Sequence, residues 1–134
     1  MIFLDTSFLA ALFMKNDQWH ERAQEWARRA RPPFVTTEYV LIELADGLAR
    51  PAWRPTFLRI HEALRKSADV QIVAQSPERF VSGLELYRSR ADKAWSLTDC
   101  LSFTVMQERG CTEALSSDVH FIQAGFRALL LEAT

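Results

Sequence analysis

The segment Ile2-Phe3-Leu4-Asp5-Thr6-Ser7 sets three consecutive apolar side chains directly before a carboxylate. An apolar run with no polar alternation predicts a strand covered on both faces, as in a parallel sheet flanked by helices. Asp5 ends the run, and a carboxylate leaving a buried strand is costly to desolvate unless a partner offsets it. Ser7 then caps a short apolar helix reaching Met14.

The same alternation continues outward from this start. A second helix is expected from about Asp17, with Trp19, Ala23, Trp26, Ala27 and Ala30 on one face, stopped by Arg31-Pro32-Pro33. Phe34-Val35-Thr36 reads as a second strand, after which Thr37 caps a helix from Glu38 to about Arg50, with Pro51 just beyond. The next helix runs from Pro55 to Lys66 and turns Phe57, Ile60, His61 and Leu64 inward. Val70 to Ala74 is a third strand. Ser76-Pro77, a cap followed by proline at the first helical position, starts a helix to about Arg90 whose expected buried stripe is Phe80, Val81, Leu84 and Tyr87. Residues 91 to 96 read as a loop, and Thr98 to Arg109 as a helix with apolar residues around its circumference, ended by Gly110. Ala114 to Ser116 is a fourth strand, residues 119 to 124 a short helix and Ala128 to Leu131 a last strand. Strands alternating with helices predict an α/β fold with a mostly parallel sheet, here in one domain spanning residues 1–134.

Composition narrows the function. The 134 residues are 49% hydrophobic, 25% charged and 11% aromatic, which is globular and excludes collagenous or low-complexity architectures. A chain of this length buries roughly 65–70% of its unfolded surface and needs no metal or disulfide staple. Sixteen basic and seventeen acidic residues leave a net charge of −1, so a polyanion would be held by a local patch rather than by the whole molecule. Arg22, Arg28, Arg29, Arg31, Arg50, Arg54, Arg59, Arg65 and Lys66 crowd the first half, where they form either such a patch for a phosphate backbone or solvated helix faces. Cys100 and Cys111 have neither disulfide-framework nor zinc-ligand spacing, which fits a reducing cytoplasm. No apolar run is long enough to span a bilayer, so no membrane partner is expected.

In a parallel sheet, ligands bind beyond the carboxyl ends of the strands. Three acids fall at that rim: Asp5 after the first strand, Asp118 after the fourth, and Asp99 in the first turn of the most buried helix. Asp99 also suits the helix dipole, and Asp118 can cap the short helix after it. At about 100° per residue, Glu43 falls on the shoulder of the stripe Val40, Leu41, Leu44 and Leu48, whereas Asp46 points to water. Acids gathered without a neighbouring Lys or Arg raise one another's pKa values unless a cation sits among them. Oxygen ligands suit Mg²⁺ or Mn²⁺ rather than zinc, and phosphodiester hydrolysis is the natural reaction of such a site. Thr6, Ser7, Thr98 and Ser116 are placed to orient a metal or a water, and can equally cap helices. His61 is expected to be packed and His20 solvated, while the role of His120 is open. The chain has no Asp-x-Asp, no receiver-type acidic pair and lysine, no P-loop and no Gly-x-Gly-x-x-Gly, so phosphotransfer and nucleotide cofactors are disfavoured.

Four segments carry a family resemblance: Ile2 to Ser7, Glu43-Leu44-Ala45-Asp46-Gly47-Leu48-Ala49, Trp95 to Phe103, and Ala114 to Phe121 with Ala124-Gly125-Phe126. Together they resemble a PIN domain of the VapC type across nearly the whole chain. The resemblance implies a three-layer α/β/α fold and an endoribonuclease that uses Mg²⁺ or Mn²⁺ and acts as the toxin of a type II toxin–antitoxin pair. Its acidic quartet falls on Asp5, Glu43, Asp99 and Asp118, as catalytic and metal-binding residues, with Thr6 after the first acid and Thr98 before the third. It also implies a homodimer and a cognate antitoxin lying along a groove at the active site. Trp53 suits a partner surface or a core role equally. Asp92 is expected to order its loop. The alternative is a catalytically inactive PIN module that binds RNA or protein.

Overall fold

The computed structural model describes residues 1–133. Five strands, β1 (Ile2–Leu4), β2 (Phe34–Thr37), β3 (Val70–Val73), β4 (Glu113–Leu115) and β5 (Arg127–Ala128), form one sheet in the order β3-β2-β1-β4-β5, every pair parallel. Parallel pairing requires crossovers, and helices supply them: α1 (Thr6–Phe13), α2 (His20–Arg29), α3 (Glu38–Gly47), α4 (Arg54–Lys66), α5 (Pro77–Ser89), α6 (Leu97–Arg109) and α7 (Val119–Gln123). The result is the expected α/β/α arrangement. β1 is buried at all three residues, as its unbroken apolar run requires, and Thr36 Oγ1 ties β2 to it by donating to the Leu4 carbonyl over 2.8 Å.

Strand order fixes where a ligand can sit. From β1 the chain moves to β2 on one side, whereas β4 occupies the other, so the crevice at the carboxyl ends of β1 and β4 is the topological switch point. Behind it an aromatic cluster braces the elements that frame the crevice. Phe103 packs edge-on against Trp95 at 5.1 Å and against Phe121 at 5.0 Å, and Phe121 also meets Phe3. Gly110 adopts φ 69° at the end of α6, the left-handed conformation that a glycine takes without steric penalty.

Several local expectations are corrected. Ser7 does not cap α1; Asp5 is the cap position, and the Ser7 hydroxyl turns to the Asp5 carboxylate instead. The second helix starts at His20 because Asp17 Oδ1 accepts the Trp19 amide and holds residues 17 to 19 in a turn, and Ala27 faces solvent. α3 ends at Gly47, before Arg50. In α5 the stripe is rotated: Phe80, Val81 and Tyr87 are 45%, 52% and 48% exposed, and Gly83 is buried. A Cβ on Gly83 would stand 2.5 Å from Leu101 Cδ2, so α5 turns its one residue lacking a side chain toward α6 and leaves the larger groups outside. The last strand stops at Ala128. Leu129–Leu131 forms a 3₁₀ turn that buries Leu129 and Leu130 while the Leu130 amide donates to the Ser116 carbonyl. No helix among the described residues is long and apolar enough to cross a membrane.

Candidate active site

The crevice at the switch point is a cleft of about 370 Å³ lined by Asp5, Thr6, Ser7, Glu43, Ala94, Ser96, Asp99, Asp118 and His120. All four acids singled out in the sequence therefore face one cavity, each delivered by a different element. Asp5 leaves β1, Glu43 lies on α3, Asp99 is the third residue of α6 and Asp118 caps α7. Among the described residues that line the cleft there is no lysine or arginine.

Hydrogen bonds fix each carboxylate. Ser116, fully buried, donates to Asp5 Oδ2 over 2.7 Å, and Ser7 donates to the same oxygen over 2.9 Å. The Ser7 hydroxyl also accepts the Ser117 amide and the Ser116 hydroxyl accepts that of Asp118, so the ends of β1 and β4 are stitched through two serines. Thr6 Oγ1 donates to Glu43 Oε1 over 2.6 Å, holding an acid from another helix against the end of β1. Asp99 completes a capping box: its amide donates to Ser96 Oγ and its Oδ2 accepts the Ser96 amide, each over 3.0 Å. Asp118 Oδ1 accepts the His120 amide over 2.8 Å, as the capping role anticipated.

Burial gives these groups their electrostatics. Asp5 is 6% exposed, and burial pushes its carboxyl up to about 6, against the two serine hydroxyls and with some help from the charges of Asp99 and Asp118. Asp99 is raised as well, first by burial and then by Asp118, while the Ser96 backbone and His120 pull the other way. Carboxylates so crowded and so short of cations favour a positive guest.

His120 turns its ring into this cluster. Its Nδ1 lies 3.1 Å from Asp118 Oδ1 and 3.3 Å from Asp99 Oδ2, and the candidate ligand atoms of these three residues all fall within 4.8 Å of one another. Asp5 and Glu43 line the same cleft outside that tightest set. Sequence reading left His120 open and missed Ser96, although Ser-x-x-Asp before an apolar helix is a capping-box signal that identifies it.

The remaining candidates lie elsewhere. Thr98 lines a neighbouring groove with Tyr39, Ile42, Gln75, Phe80 and Leu101, a groove that shares Glu43 with the cleft. Asp46 is exposed, and Asp92 pairs with Arg90 and Lys93 in its loop, both as expected. Trp53 packs partly against the core under the Arg50 guanidinium. His61 stacks on Phe57, as a packed residue should. His20 is not simply solvated, because its Nδ1 sits 2.7 Å from the Ala11 carbonyl and ties α2 to α1.

The chain is similar to known proteins in sequence and in fold. The 23S rRNA-specific endonuclease VapC20 of Mycobacterium tuberculosis, in two strains, is 33% identical over 128 residues, covering 94% of this chain and 95% of the relative. The crystal structure of Mycobacterium tuberculosis VapC20, described as a sarcin-ricin loop cleaving toxin, superimposes with a TM-score of 0.89 at 28% identity, over 96% of this chain and 98% of that one. FitAcB from Neisseria gonorrhoeae shares the fold, with a TM-score of 0.65 at 18% identity and 95% of each chain covered. A family model of the PIN domain matches residues 2–127, and the chain belongs to the PIN-domain family.

Proposed function

We infer that this protein is a PIN-domain toxin ribonuclease, hydrolysing RNA phosphodiester bonds with a divalent ion held by Asp5, Glu43, Asp99 and Asp118. The observation that carries this reading is the convergence of four acids from four elements on one cleft whose described lining has no lysine or arginine. Hard oxygen donors of this kind fit Mg²⁺ or Mn²⁺. When bound, such an ion acidifies a water and neutralises charge on the scissile phosphate.

The chain's own residues do the positioning. Ser7 and Ser116 hold the Asp5 carboxylate at the end of β1, and Ser96 holds that of Asp99 at the head of α6. Thr6 presents Glu43 from the side of α3. Carboxylates fixed in this way reorganise little on binding, which is what an electrostatic site requires.

The substrate class, RNA, is supported by the likeness to an rRNA endonuclease, and 23S rRNA is the first target to test. A cognate antitoxin is the proposed partner, on the same likeness. A homodimer is proposed as well, with α3 and α5 as its face, because Ile42, Phe80 and Val81 stand half exposed on these helices, the first two in the groove that shares Glu43 with the cleft. A cytoplasmic setting fits two buried free cysteines. The inactive-module alternative is not favoured, since it gives no reason for four acids to remain together in one cleft.

The test is cleavage of end-labelled rRNA by the purified protein with Mg²⁺ or Mn²⁺, with chelator, and with Asp99→Asn. Metal-dependent cutting abolished by the chelator and by the variant is expected. Equal cutting by wild type, chelated protein and variant would overturn the assignment of the acids.

A further inference from the structure

We propose that His120 is itself a ligand of the divalent ion, through Nδ1, and that this nitrogen makes the site select Mn²⁺ over Mg²⁺. The proposal rests on the reading of the acids as a metal centre and deepens it. Nothing in the acidic quartet requires a histidine. Yet the chain places one two residues after Asp118, in the first turn of α7, with its ring turned back toward Asp99.

Three observations point to ligation rather than to simple charge balance. First, Nδ1 is buried and within 3.3 Å of two carboxylate oxygens, but it makes no hydrogen bond with either. A ring serving only as a cation for its neighbours would aim its N–H at one of them. Second, the spacings of 3.1 and 3.3 Å suit neighbouring ligands of one ion, because donors about 2.1–2.2 Å from an octahedral centre stand roughly 3 Å apart. Third, both carboxylates are already anchored, since Asp99 Oδ2 accepts the Ser96 amide and Asp118 Oδ1 the His120 amide. The ring therefore faces a fixed pair of oxygens, each with a lone pair to spare.

Chemistry supplies the consequence. An all-oxygen set suits Mg²⁺, whereas one imidazole nitrogen in the shell favours a transition metal, and among the ions that suit the remaining carboxylates that is Mn²⁺. Ligation through Nδ1 requires the neutral ring with its hydrogen on Nε2.

The experiment uses the full chain without an affinity tag, stripped of metal, and reads binding rather than cleavage. Mn²⁺ and Mg²⁺ are titrated calorimetrically into wild type, His120→Ala, His120→Asn and Asp99→Asn, with thermal unfolding to confirm that each variant is folded. Pulsed electron paramagnetic resonance of bound Mn²⁺ then reports directly bound imidazole nitrogen. The proposal expects that nitrogen coupling in wild type and its loss in both His120 variants. It also expects Mn²⁺ affinity to fall about tenfold or more and Mg²⁺ affinity to change by less than about threefold. Tight Mn²⁺ binding without the coupling, or His120 variants that bind Mn²⁺ like wild type, would overturn the role of His120 while leaving the acids as the metal centre. Wild type that binds no Mn²⁺, or Asp99→Asn that binds it unchanged, would remove both.

Discussion

Thr6 Oγ1 and Glu43 Oε1, 37 residues apart in sequence, meet at 2.6 Å. Thr6 begins α1 directly after Asp5, so this one bond sets the distance between the end of β1 and the acid of α3. Glu43 is only half buried and otherwise has several rotamers to choose from. Thr6→Val keeps the shape and removes the donor. Stability should fall by about 1 kcal/mol or less, while metal affinity or cleavage falls by roughly tenfold to a hundredfold, as for other residues that orient metal ligands. Thr6→Ser should recover most of the loss. Equal activity of the valine and serine variants in a cleavage time course would show that Glu43 needs no such support.

Asp5 predicts a pH dependence of stability that metal removes. Its folded carboxyl titrates near 6 against 3.8 unfolded, so between these values the native protein holds the extra proton. Metal-free stability therefore drops as pH rises from about 4 to about 6 and stays low above that window. Asp5→Asn keeps an acceptor for Ser7 and Ser116 without the charge. In chelator, the variant should be more stable than wild type at pH 7.5, by an amount on the order of 2–3 kcal/mol, and the gap should close at pH 3.5. Adding Mn²⁺ should stabilise wild type and leave the variant nearly unmoved. Urea unfolding at the two pH values, with and without Mn²⁺, checks both parts. A variant less stable than wild type at pH 7.5 without metal would show that the buried charge is already compensated.

The sheet and the acids were legible because strong local signals coincide with them. β1 is an unbroken apolar run into an acid, α5 begins with a serine cap followed by proline, and Gly110 stops α6. Glu43 could be placed by helical phase alone, and Asp46 dismissed by the same arithmetic. What could not be read was set by contacts between distant segments. The phase of α5 is decided by Leu101 pressing on Gly83, and a sequence stripe of Phe80, Val81 and Tyr87 carries no sign of that. The turn of Leu129–Leu131 depends on Ser116 offering its carbonyl from β4. The bonds from Ser116 to Asp5 and from the Ser117 amide to Ser7, and the approach of His120 to Asp99, join residues that only the fold brings together.

Gly83 offers a direct test of the α5–α6 packing that carries Asp99. A Cβ at this position would lie 2.7 Å from Leu101 Cγ as well as 2.5 Å from Cδ2, too close without movement of one helix or of the leucine. Gly83→Ala would gain helix propensity on an open surface, yet here it should destabilise by about 1–3 kcal/mol. Leu101→Ala opens a void of its own, but in the double variant the new methyl can enter it. The double variant should therefore be more stable than the sum of the two single losses. Chemical denaturation of the four proteins gives the coupling, and strict additivity would mean that the two helices do not meet at this point.

The basic residues of the first half differ in how free their charge is, and RNA binding should follow that difference. Arg65 and Lys66 both reach Glu62 on the exposed face of α4, so much of their field is already cancelled. Arg54, at the start of the same helix, donates Nε to the Ala49 carbonyl, a neutral partner that leaves its charge uncompensated. If this end of α4 tracks a phosphate backbone, Arg54→Glu should weaken binding of a cleavage-inactive protein to RNA and flatten the dependence of log Kd on log salt by about one phosphate contact or more. Arg65→Glu should have the smaller effect. Filter binding across a salt series, with Asp99→Asn as the common background, measures both slopes. Identical slopes for Arg54→Glu and its parent would show that α4 carries a solvated face, and would move the search for the RNA track to Arg28, Arg29 and Arg31, which stand exposed around the end of α2.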